Sequence, residues 1–127
     1  MENRNLFESG RRRIGRTDCA VKDIGWNPHP TFKGVFMKHV VTGADTNGRL
    51  SCHLVRIEPG CEIGDHIHAG KMELHEVMCG EGRCEIGDET VDYAPGTVAY
   101  IPDDIRHRVI AGDGGLELLA KFSPALI

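Results

Sequence analysis

No stretch of this 127-residue sequence approaches the ~20 consecutive apolar residues that a membrane-spanning helix needs. The N-terminus also lacks the apolar core of a secretion signal. The expectation is a cytoplasmic protein with no membrane contact. A surplus of positive charge is missing too: 15 Lys and Arg stand against 19 Asp and Glu, a formal net charge of −4, which argues against a nucleic-acid partner. The one basic cluster, Arg11-Arg12-Arg13 with Arg16, has no aromatic interleaving. It reads as a solvated arm, with a local anion contact or a partner-docking strip as the other roles open to it. Cysteines are few and odd in number: Cys19, Cys52, Cys61, Cys79 and Cys84, with no C-x-x-C pair. Neither a zinc finger nor a disulfide framework is indicated, and buried thiols in a reducing compartment are the plain account. Internal repeats and low-complexity segments are absent.

What is present is turn chemistry and alternation. Sixteen Gly, six Pro and 40% hydrophobic residues describe a soluble, turn-rich chain of a size that makes one domain. From Phe32 onward, short apolar or alternating runs are separated by turn residues at spacings too short for intervening helices. "TFKGVFMKHVV" and "RLSCHLVRI" flank the turn-rich "TGADTNG" as a hairpin would. "MELHEVMCG", "RCEIG", "ETVDYAPG", "TVAYIP", "RHRVIAGDGG" and "LELLAKFS" follow, for about eight strands of an all-β sandwich or barrel. Residues 1–31, with Trp26 and "NPHP", are less regular and form an N-terminal arm that packs along an edge or reaches a partner subunit. Residues 32–127 make the single β domain.

The stretch "GDHIHAGKMELHE" concentrates three histidines and two glutamates in thirteen positions. His66 and His68 are two apart, so on a strand their side chains leave from one face. Glu73 lies an odd five positions past His68 and would face away if the strand simply continued. A turn at "AGK" brings it back beside the histidines. One short hairpin seldom completes a coordination sphere, and His107, just after a Pro-Asp-Asp turn, is the candidate fourth ligand. Three imidazoles and one carboxylate suit one divalent transition metal ion, Fe, Mn, Ni, Co or Zn, with positions left for water or substrate.

These residues carry a resemblance to the cupin superfamily. The first cupin motif, G-(x)5-H-x-H-(x)4-E-(x)6-G, is met at every fixed position by Gly60, His66, His68, Glu73 and Gly80. The second, G-(x)5-P-x-G-(x)2-H-(x)3-N, is met by Gly96, Pro102 and His107, with Asp104 in place of its second Gly and Ala111 in place of Asn. The resemblance implies a double-stranded β-helix, the jelly-roll barrel, of the small single-domain kind, often a homodimer, with His66, His68, Glu73 and His107 holding the metal inside it. It does not imply one reaction, since cupins include dioxygenases, decarboxylases, epimerases, isomerases, lyases and non-enzymatic binding proteins.

His75 follows Glu73 by two and is expected to point into the same cavity. It is the candidate catalytic residue, as a general base, or else a packed histidine that orients a ligand. Glu76 alternates to the other face, His53 reads as a packed or hydrogen-bonded histidine, and Tyr100 as lining the pocket mouth or filling the barrel. Of Arg56, Lys71, Arg106 and Arg108, no more than about one is expected to meet an anionic ligand. The functional expectation is a metal-dependent enzyme acting on a small polar or carboxylate-bearing metabolite, of lyase, isomerase, decarboxylase or dioxygenase type. The alternative is a non-catalytic metal- or small-ligand-binding cupin, a sensor or carrier.

Overall fold

Alternation with a period of two carries most of the chain into strands. The clearest case is the strand Met72–Ile86, in which Glu73, His75, Val77 and Cys79 are buried and the residues between them are partly exposed. The computed structural model describes residues 6–127. In chain order its strands are β1 Arg11–Ile14, β2 Thr17–Ala20, β3 Asn27–Pro28, β4 Val35–Val41, β5 Ser51–Ile57, β6 Glu62–His66, β7 Met72–Ile86, β8 Glu89–Tyr93, β9 Val98–Ile101 and β10 His107–Ser123. Every pairing among the described residues is antiparallel. Eight strands form one sheet in the order β3-β4-β5-β10-β7-β8, with β6 also pairing β10 and β9 pairing β7. Connected in this way, the antiparallel strands form the jelly roll that the cupin resemblance implies.

The hairpin expected around "TGADTNG" is β4 against β5. Its connection is the single turn α1, Gly43–Thr46, started by a Thr42–Asp45 capping box and ended by Asn47 in the left-handed region at φ 55°. Two other expectations are corrected. "MELHEVMCG" and "RCEIG" are one strand, β7, and "RHRVIAGDGG" and "LELLAKFS" are one strand, β10. The two long strands pair with each other on both sides of a register break between Ala111 and Leu116. Glycine permits that bend: Gly80 has φ 81°, and a Cβ there would lie 2.2 Å from the Gly115 carbonyl oxygen. The punctuation read from the sequence is therefore a kink in a continuous ladder.

The larger core cluster, including Val35, Val55, Ile57, Ile101, Leu118 and Phe122, lies around the strands that carry the histidines. A smaller one joins Val21, Leu54 and Leu119 to Trp26, Cys52 and Met78 on the opposite side of the sheet. That second cluster is where the N-terminal residues dock. Lys38, 2% exposed, donates to the Val21 carbonyl at 3.0 Å and pairs with Glu8 at 2.8 Å. Arg56 pairs with Glu8 and Glu117 and lies 4.3 Å over the Trp26 ring. In the basic cluster, Arg11 pairs with Asp18 across the β1–β2 hairpin at 3.2 Å. No helix among the described residues is long and apolar enough to cross a membrane.

Candidate metal centre

β6 ends at His66, the chain turns at Ala69-Gly70, and β7 begins at Met72. This reversal resolves the odd spacing, because Glu73 returns on β7 with its Oε1 3.7 Å from His68 Nε2. β10 begins at His107 in register with His66, so the distant histidine arrives by strand pairing. The imidazole rings of His66 and His107 lie 4.0 Å apart, centroid to centroid, and those of His66 and His68 4.7 Å. One donor atom from each of His66, His68, Glu73 and His107 lies within 4.8 Å of all the others. The four predicted ligands form one group.

Asp104, which replaces a motif glycine, adopts φ 64°. Aspartate is among the few residues that tolerate this left-handed conformation. Its carboxylate also accepts the Gly70 N–H at 3.3 Å, tying the loop before His107 to the loop after His68. The departure from the motif keeps the glycine-like backbone and adds a link.

Local hydrogen bonds orient the rings. His66 Nδ1–H donates to the Gly64 carbonyl at 2.7 Å and His107 Nδ1–H to the Ile105 carbonyl at 3.1 Å, which leaves Nε2 of each as the free nitrogen. Burial lowers the pKa of His66 to about 4 and also lowers that of His68, so both are neutral near pH 7, the form a metal requires. Burial alone would raise the Glu73 carboxyl, but His75 and His107 beside it more than offset that and hold it well below the usual range. Burial would lower His107, whereas the Glu73 carboxylate beside it raises it overall.

His107 Nε2 and Glu73 Oε1 are 3.0 Å apart without the alignment of a hydrogen bond, so two buried polar atoms are left with no hydrogen-bond partner. Such atoms are costly unless something binds them. Imidazole nitrogens and an ionised carboxylate, converging at one point, fit a divalent metal ion.

His75 is 2% exposed and lines the same cavity of about 50 Å³. Its Nε2 lies 2.5 Å from Glu73 Oε2 and its Nδ1 2.8 Å from the Tyr93 hydroxyl. Tyr93 was not legible as a site residue: strand parity could have placed it inside, but nothing local ties the end of β8 to His75. His53 is packed as expected, fully buried between His39 and Ser51. Tyr100 corrects its expectation, being 54% exposed on β9 and outside the barrel. None of the four cations lines the cavity: Arg56 and Arg108 sit in ion pairs, Lys71 donates to the Ala125 carbonyl, and Arg106 lies 4.0 Å from Asp65. Glu76 pairs with Lys121 at 2.6 Å on the outer face.

The Cupin domain family model matches residues 53–121, which hold the whole ligand group. No curated protein matches the sequence. Among solved structures, a predicted oxalate decarboxylase from Thermotoga maritima superposes with a TM-score of 0.75 at 22% identity, over 81% of this chain and 95% of its own. KdgF from a Halomonas species gives 0.71 at 20% identity, over 81% and 88%. A variant of oxalate decarboxylase from Bacillus subtilis gives 0.71 at 24%, over 84% of this chain and 29% of the larger protein. At these identities the likeness is one of fold. The matched segment covers just over half of the chain and contains both histidine motifs, and the protein belongs to the cupin superfamily.

Proposed function

We propose that the protein is a metal-dependent enzyme acting on a small polar or carboxylate-bearing metabolite. The observation that carries this reading is the pair of buried atoms without partners, Glu73 Oε1 and His107 Nε2, the first of them on a residue that lines a cavity together with His66 and His68. A structural metal site is usually closed by its ligands, whereas a catalytic one keeps a position open. A divalent ion held by His66, His68, Glu73 and His107 would act as a Lewis acid toward a substrate carbonyl or carboxylate oxygen. Decarboxylation is one reaction to test, since two of the structural neighbours bear oxalate decarboxylase in their names.

The residues of this chain supply orientation. Gly64 and Ile105 carbonyls fix the His66 and His107 rings, and His75 holds one Glu73 oxygen while the other stays free. Both nitrogens of His75 are occupied, which favours the orienting role over that of a general base. To take a substrate proton, His75 would first have to release Tyr93 or Glu73.

Elemental analysis of protein purified without added metal or chelator, beside His107→Ala, is the test. About one first-row ion per chain, lost in the variant, is the expected result. Wild type that carries no metal and refuses anaerobic loading with Fe, Mn, Ni, Co or Zn would end the enzyme reading. Metal and ligand binding without turnover of any substrate would assign the protein to the carriers.

A further inference from the structure

A second cavity of about 230 Å³ adjoins the metal cavity. The two share His29, Met37 and Leu126 in their walls, so the inner and outer spaces meet at these side chains. A water molecule takes about 30 Å³ of liquid, so the outer cavity has room for a chain of several carbons.

The chemistry of its wall is one-sided. No Lys, Arg, Asp or Glu lines the outer cavity among the described residues, and Glu73 alone brings a formal charge to the inner one. Proline, methionine, leucine and isoleucine make most of the outer surface, with Asn27 and two histidines as its polar groups. Burial lowers the pKa of His29 and of His39, so both are neutral near pH 7. His29 Nδ1 accepts the Thr31 and Phe32 N–H groups at 3.0 and 3.2 Å, which puts its ring proton on Nε2 as a single donor between the two cavities. The cations nearest in sequence to the site are engaged elsewhere, so a second anionic group would enter without a partner, at the cost of an unpaired buried charge.

We propose that the outer cavity receives the uncharged, mainly apolar tail of a monoanionic substrate whose chelating head lies at His66, His68, Glu73 and His107. Small dianions such as oxalate lack the tail and carry the wrong charge. This rests on the metal-centre reading given above.

Isothermal titration calorimetry of metal-loaded protein with straight-chain hydroxamates, from acetohydroxamate to octanohydroxamate, tests it. Each added methylene is expected to tighten binding roughly fourfold until the outer cavity is filled. An analogue ending in a carboxylate should bind at least about tenfold more weakly than the alkyl compound of equal length, and the ¹³C methyl signal of Met37 should shift with chain length. Ile127→Asp, at the exposed rim of the outer cavity, should flatten the series without risk to the core. Affinity independent of tail length, or tighter binding of the carboxylate-ended analogue, would overturn the tail subsite and leave metal chelation standing. Failure to load metal, with no binding even of acetohydroxamate, would remove the metal centre and the tail subsite with it.

Discussion

Glu73 has two oxygens with different duties, and a chain of buried side chains decides which is which. An ionised carboxylate only accepts, so the proton between Glu73 Oε2 and His75 sits on His75 Nε2. In the neutral ring His75 Nδ1 is then an acceptor, to which the hydroxyl of Tyr93 donates at 2.8 Å. Burial, the first cause, raises the pKa of Tyr93, with Cys84 and Glu73 adding to it, so the hydroxyl keeps its proton. Tyr93 thereby fixes the tautomer of His75, and His75 fixes Glu73. The consequence is specific. Tyr93→Phe leaves Nδ1 buried without a partner, which should cost about 1–3 kcal/mol in stability and lower metal affinity by roughly 10–100-fold. Competition with a chromophoric chelator measures the affinity, and ¹⁵N spectra of the metal-free protein read the tautomer. An affinity within about twofold of wild type, with the Nε2–H tautomer retained, would reduce Tyr93 to a space-filling residue.

The long strands β7 and β10 make the barrel continuous, and their bend depends on glycine. Gly80→Ala combines a positive φ of 81° with a Cβ 2.2 Å from the Gly115 carbonyl oxygen, so the backbone itself must shift. A loss of about 2–4 kcal/mol in urea unfolding is expected. Gly87→Ala is the control: its φ is 61°, but nothing lies within 4 Å of the added Cβ, and it should cost only about 1 kcal/mol. Equal losses in the two variants would show that the close approach at Gly80 has no weight. These elements also show where sequence reading reaches its limit. Period-two alternation located the strands, and the His-x-His spacing, the turn at 69–71 and the distant His107 located the candidate ligands, because each is a local pattern or a motif of fixed spacing. Joining two short runs into one strand is decided by the partner strand, as at Gly80 and Gly115, and leaves no local mark. Tyr93 and the wall of the outer cavity, Met37, His39 and Leu126, come together through pairings between residues far apart in the chain, so neither was legible.

At the scale of the whole molecule, a polar line runs through the barrel beside the candidate metal centre. His39 meets His53 at 2.9 Å, His53 meets Ser51 at 2.8 Å, and the Ser51 hydroxyl accepts the Leu126 N–H at 2.8 Å, so the segment at the cavity mouth is tied to the central strand β5. His53 is fully buried, and burial, with His39 adding to it, lowers its pKa to about 4. An unfolded chain takes up a proton on this imidazole below about pH 6.5, while the folded chain refuses it until about pH 4. Its contribution is therefore complete above pH 6.5 and drains away as the pH falls through that window, by about 3 kcal/mol in all. His66, likewise lowered to about 4 by burial, adds to the same slope in metal-free protein, whereas His107, raised by Glu73, acts in the opposite sense. Urea unfolding of the metal-free protein at intervals from pH 7.5 to pH 4.5 should give a plateau followed by a steady loss. His53→Gln lowers the plateau through lost packing but should flatten the slope, leaving the share that belongs to His66 and to His68, His29 and His39, which burial also lowers. A variant whose stability falls as steeply as wild type over that range would show that acid lability arises elsewhere, and that the buried His53 does not govern it.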